Sequence, residues 1–173
     1  LTGTIPAGLF DKCIEVTSFE GVFNNCKGLT GSIPAGLFDN NKKAVIFNYT
    51  FSNCTSISAI PDGLFDNNSL ATDFCGTFNF CQAITEIPNG LFNNNPLAYN
   101  FSEVFARCIK LEFIPAGLFD RNKGEFFWGA FMGCTSLIEI PEGLFDKCPN
   151  VTSFSNTFAG CSNLTGNIPT GLF

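Results

Sequence analysis

Ile33-Pro34-Ala35-Gly36-Leu37-Phe38-Asp39 carries one of seven copies of the motif Ile-Pro-x-Gly-Leu-Phe, which begin at Ile5, Ile33, Ile60, Ile87, Ile114, Ile140 and Ile168. The steps between them are 28, 27, 27, 27, 26 and 28 residues. Self-similarity at a period of about 20 to 50 residues marks a solenoid, in which each unit buries its apolar face against its neighbours. The rest of the chain is spaced from this motif.

After Gly-Leu-Phe come about eight variable residues, then Phe-x-x-x-Phe-x-x-Cys-x-x-Leu/Ile, then the next Ile-Pro. The first Phe falls at Phe19, Phe47, Phe74, Phe101, Phe127 and Phe154, and the second four residues later at Phe23, Phe51, Phe78, Phe105, Phe131 and Phe158. Cys26, Cys54, Cys81, Cys108, Cys134 and Cys161 follow, three residues further on. With Phe10, Phe38, Phe65, Phe92, Phe119, Phe145 and Phe173 of the first motif, 19 of the 22 phenylalanines occupy repeated positions, so aromatic columns along an interior are expected. Phe80, Phe113 and Phe126 stand outside them.

Offsets of four and three predict that Phe, Phe and Cys share one stripe of a short helix. Leu/Ile-x-x-Ile-Pro predicts a short strand ending at proline, and Gly-Leu-Phe-Asp a single helical turn. The fold class expected is an α/β solenoid: a right-handed leucine-rich-repeat superhelix of about six 26-28-residue units. Each unit would be a short parallel strand plus short helical segments. The domain reading is one solenoid over residues 1–173, a fragment of a longer chain, because the sequence begins and ends inside the motif. Polar capping repeats are missing, from which end-to-end self-association is expected.

Composition narrows the function. A formal charge of −6 and a pI of about 4.5 oppose nucleic acid as a partner, since phosphate needs clustered Lys and Arg. No run of about 18 apolar residues exists to insert in a membrane. The absence of His removes the commonest general base and, with no Cys-x-x-Cys pair, a zinc site. Carboxylate pairs such as Glu86 with Glu112 or Glu139 remain, but nothing in a repeat enforces catalytic geometry. No enzyme activity and no cofactor are expected.

The six repeat-position cysteines read as small buried hydrophobes with free thiols. Parallel side chains on adjacent coils hold Cβ atoms about 4.8 Å apart, slightly beyond the disulfide window. Asp11, Asp39, Asp66, Asn93, Asp120 and Asp146 form a column, often with Asn beside it (Asn40, Asn67, Asn94, Asn122), suited to turn hydrogen bonding. Calcium is the sharper alternative.

Phe131-Met132-Gly133-Cys134-Thr135-Ser136-Leu137-Ile138-Glu139-Ile140-Pro141 resembles the BspA-like leucine-rich repeats of bacterial surface proteins, and Val151 to Cys161 is similar. Asn163-Leu164-Thr165-Gly166-Asn167-Ile168-Pro169 also looks like the Leu-x-Gly-x-Ile-Pro segment of plant-type repeats. The first resemblance implies a secreted or cell-surface bacterial module. It would act in adhesion to host matrix proteins or other cell-surface proteins, its targeting signal lying outside this fragment. A structural spacer without its own ligand is the alternative.

Recognition in a solenoid belongs where the repeats differ. The residue before Ile-Pro is Ser32, Ala59, Glu86, Phe113, Glu139 and Asn167, a row in which Glu86, Phe113, Glu139 and Asn167 are the candidate ligand-facing strip. Tyr49 and Trp128 vary inside Phe-x-x-x-Phe and are candidate contact aromatics.

Overall fold

The computed structural model describes all 173 residues and consists of stacked coils, one per repeat. Each coil turns first at Ile-Pro-x-Gly-Leu. Pro34 O accepts Leu37 N at 3.3 Å, and Gly36, the third residue of that turn, has φ 70°. A side chain there would be strained, which is why every copy of the motif keeps glycine at this point. Tight turns continue through Asp39 N to Gly36 O and Asn41 N to Phe38 O, so Gly-Leu-Phe-Asp is not the helical turn expected.

Phe-x-x-x-Phe-x-x-Cys is not helical either, and the chain contains no helix. In a helix Phe23 N would donate to Phe19 O, four residues back. Instead Val22 N donates to Phe19 O at 3.3 Å, while Phe23 N donates to Thr50 O of the next coil at 2.9 Å. Phe19, Gly21, Phe23 and Asn25 all send their N–H to the next coil, and Val22, Asn24 and Cys26 send theirs three residues back. The alternation requires left-handed residues two positions after each Phe, as at Tyr49 (φ 52°) and Asn53 (φ 58°). Two such turns advance the chain by the same four and three residues as a helical stripe. The spacing therefore puts Phe, Phe and Cys inside by a different backbone route.

Strand pairing is split between two sides of the coil. On the Ile-Pro side, β1 (Thr2–Gly3) pairs in parallel with β2 (Gly28–Leu29), and β3 (Gly31–Ser32) with β4 (Ile57–Ala59). The second register skips Ser58, where the Leu-to-Ile-Pro spacing of successive repeats differs by one residue. Beyond these coils only single bonds continue the pairing, such as Ile138 N to Glu112 O at 3.2 Å. The continuous column lies just before the first Phe, through parallel bridges Ser18–Ile46–Asp73–Asn100–Phe126–Ser153. The strand expected before each Ile-Pro is thus formed only in the first three coils.

The interior is phenylalanine. Rings at equivalent positions stack with centroids 5.4 to 6.2 Å apart and planes within 15°, as Phe51 on Phe78 and Phe78 on Phe105. The Gly-Leu-Phe ring fits edgewise or tilted against the first ring of the second motif, for example Phe38 against Phe47 at 5.1 Å. Twelve phenylalanines are completely out of water. Both offset and tilted geometries favour the ring quadrupole, so each column adds attraction beyond its buried area.

Candidate functional site

Inside the coils, polar side chains serve the neighbouring backbone. Asn68 Nδ2 donates to Phe38 O at 3.2 Å and to Asn41 O at 3.0 Å, and Asn41 and Asn95 repeat the pattern one coil down and one coil up. This ladder sits two residues after the Asp column, one position beyond Asn40, Asn67 and Asn94. The sequence does carry its signal, since Asn41, Asn68, Asn95 and Asn122 share a column that ends in Cys13 and Cys148. Asn122 breaks the ladder. It lies in the coil shortened by one residue, is buried, and neither atom of its amide finds a partner. The Asp side chains pack over the turn glycines: Asp39 Oδ2 lies 3.0 Å from where a Cβ on Gly36 would stand.

The repeat-position cysteines form a second ladder. Cys54 donates its thiol to Phe23 O at 3.2 Å, and Cys81, Cys108, Cys134 and Cys161 donate to the corresponding carbonyl of the preceding coil. These five are buried, and Cys26 in the first of their coils is half-buried. All nine cysteines are free thiols. Burial pushes the Cys54 thiol up to about 12, and it raises Cys81 and Cys108 well above the ordinary range. Thr50, Thr77 and Thr157 add a third ladder, each hydroxyl within reach of two phenylalanine carbonyls. No group of three or more His, Cys, Asp or Glu side chains lies close enough to hold a metal ion.

The contact-aromatic candidates lie on the side of the continuous bridge column. Tyr49 leans over Gly76 of the next coil, where a Cβ would stand 2.2 Å from the ring. Its hydroxyl shares a hydrogen bond with the Cys75 thiol at 3.5 Å, and that bond, burial and the nearby Glu103 carboxylate push the hydroxyl pKa up. Tyr49 is thereby half-buried, whereas Trp128 is exposed three coils further on, beside exposed Phe126. Arg107 covers the Phe80 ring at 4.8 Å on the same side.

The strip before Ile-Pro lies on the other side. Ser32, Glu86, Phe113, Glu139 and Asn167 are exposed and Ala59 is half-buried. Phe113 is 52% exposed, and Ile138, bonded to Glu112 from the next coil, is 41% exposed. Two furrows flank Phe113. One is bounded by Ile60, Pro61, Asp62, Glu86 and Pro88, the other by Glu139, Pro141, Glu142, Asn167 and Pro169. The structure thus brings Glu86, Phe113, Glu139 and Asn167 onto one face and places Tyr49 and Trp128 on another.

No protein-family model matches the chain, and no curated protein does. Among solved structures, it is similar to a leucine-rich repeat protein from Bacteroides ovatus at 20% identity and a TM-score of 0.46, covering 95% of this chain and 44% of that one. It is also similar to the leucine-rich repeat protein of T. pallidum at 21% identity and a TM-score of 0.47, covering 87% of this chain and 71% of that one. A leucine-rich cell surface protein from Faecalibacterium prausnitzii aligns at 17% identity and a TM-score of 0.22, covering 94% and 80%. The chain spans less than half the length of the first of these. These are likenesses of fold.

Proposed function

We propose that this chain is a non-enzymatic protein-binding module, one solenoid domain of a secreted or cell-surface protein. It acts in adhesion or protein–protein interaction through the strip of Glu86, Phe113, Glu139 and Asn167. The observation that carries this reading is Phe113. A phenylalanine in this chain is almost always an interior rung of a column, yet this one stands half in water at the centre of the strip. Leaving half of a large aromatic ring in water forgoes roughly 1 kcal/mol of burial energy, about half of what full burial of such a side chain gains. Exposed aromatics of this kind anchor protein interfaces. The interior columns and ladders hold the coils together and leave this face free to specialise.

The test is surface plasmon resonance against purified extracellular-matrix proteins. The whole chain is expected to bind at least one of them, with Phe113→Ala weakening that binding about tenfold or more and Trp128→Ala leaving it unchanged. Equal binding by wild type and Phe113→Ala would overturn the assignment of the strip.

A further inference from the structure

We infer that the strip takes an extended basic segment of a partner protein, with the pattern basic–x–apolar–x–basic laid along the solenoid axis. This rests on the reading of the strip as the binding face and names its partner's chemistry. Each furrow beside Phe113 pairs two carboxylates with proline walls, Asp62 and Glu86 in one, Glu139 and Glu142 in the other. All four are exposed, and no Lys or Arg nitrogen lies within 4.0 Å of any of them, the chain's single ion pair being Lys43 with Glu15. Lys110, the cation closest in sequence to Phe113, pairs with no carboxylate. The face therefore presents uncompensated negative charge around exposed apolar side chains, and its complement is a cationic segment with an apolar centre.

The spacing fits one register. Coils in parallel register are about 4.8 Å apart, so the furrow between the third and fourth Ile-Pro motifs and the furrow between the sixth and seventh are about 14 Å apart. Phe113 belongs to the fifth motif, midway between them. An extended chain advances about 3.3 Å per residue with alternate side chains on one face, so residues i and i+4 are about 13 Å apart with i+2 between them. Basic side chains at i and i+4 then lay their aliphatic stems on the proline walls and their heads on the carboxylate pairs. The apolar side chain at i+2 meets Phe113.

The experiment is fluorescence anisotropy of labelled Gly-Ser-Arg-Ser-Leu-Ser-Arg-Ser-Gly with the whole chain. The control is the isomeric Gly-Ser-Ser-Arg-Arg-Leu-Ser-Ser-Gly. The first peptide is expected to bind about tenfold tighter than the second, and to lose about tenfold in affinity on Glu86→Gln, on Glu139→Gln and on Phe113→Ala. Its binding should weaken as salt rises. The two Gln variants replace exposed carboxylates, and unchanged melting temperatures show that they remain folded. Equal affinity for the two peptides, or indifference to both Gln substitutions, overturns the basic register. A chain that binds a matrix protein through Phe113 but neither peptide overturns the basic occupant and leaves the strip standing. Loss of matrix binding as well overturns the strip itself.

Discussion

Asn68 and Asn122 occupy the same column in opposite circumstances. Asn68 donates two hydrogen bonds to carbonyls of the preceding coil, so Asn68→Ala removes both and leaves a small cavity. A loss of about 2 to 3 kcal/mol is expected in urea unfolding. Asn122 buries an amide with no partner at all, so Asn122→Leu should be neutral or stabilising by up to about 1 kcal/mol. A large loss from the second substitution would mean that Asn122 is bonded after all. This pair also marks where reading the residues one repeat at a time falls short. A turn role for Asn40 and Asn67 is sound chemistry at an adjacent position. Aligning the repeats shows Asn41 and Asn68 as a column, but only the bonds between coils give that column its role, because an amide reaching a carbonyl 27 to 30 residues away has no local signature.

At the scale of the element, the left-handed column explains why the short helix that the spacing predicts does not form. Phe, Phe and Cys at offsets of four and three satisfy a helix and this double turn equally well. The distinguishing residues are the ones between them. Gly21, Gly76, Gly129, Gly133 and Gly160 all adopt positive φ, and glycine at these points opposes a helix. Gly76 is doubly constrained, by φ 59° and by the Tyr49 ring above it. Gly76→Ala should cost about 3 kcal/mol, the left-handed penalty together with the collision. In a Tyr49→Gly background the same substitution should cost only about 1 to 2 kcal/mol, the left-handed penalty alone, as a double-mutant cycle would measure. Additive costs would place the ring elsewhere.

Over the whole molecule, the stacked coils and their phenylalanine columns are legible in the sequence because a large apolar residue recurring at a fixed period must be buried at the same place in every unit. The distribution of strand pairing is not. It depends on which backbone N–H groups face the neighbouring coil, and Val45 and Thr72 on the bridge side are no more β-favouring than Ile57 and Ile84 on the other. Phe113 is legible as a residue that breaks its row, and its furrows are not, because they arise between coils. The buried thiols act together on the stability of the stack. Folding holds Cys54 at about 12 and Cys148 at about 11, against 9.0 unperturbed, and raises Cys81, Cys108 and Cys161 as well. A thiol raised in this way contributes stability that is complete below the unfolded pKa near 9.0 and is lost as pH rises through the folded value. Between those limits the unfolded chain has released protons that the folded chain retains. Unfolding free energy should therefore be flat with respect to these thiols near neutral pH and fall from about pH 9 upward, on the order of 1 kcal/mol per pH unit for each buried thiol, which urea unfolding across that range measures. Replacing Cys54 and Cys81 with alanine should make that fall shallower.

The central claim is that the second motif is held by bonds between coils in place of bonds along a helix. Through-hydrogen-bond scalar coupling in isotope-labelled protein observes this directly. The Phe51 amide nitrogen should couple to the carbonyl carbon of Thr77 in the next coil, where the hydrogen bond spans 2.9 Å. Coupling of Phe51 to the carbonyl of Phe47, four residues back, would mean that the segment is a helix and would contradict the account.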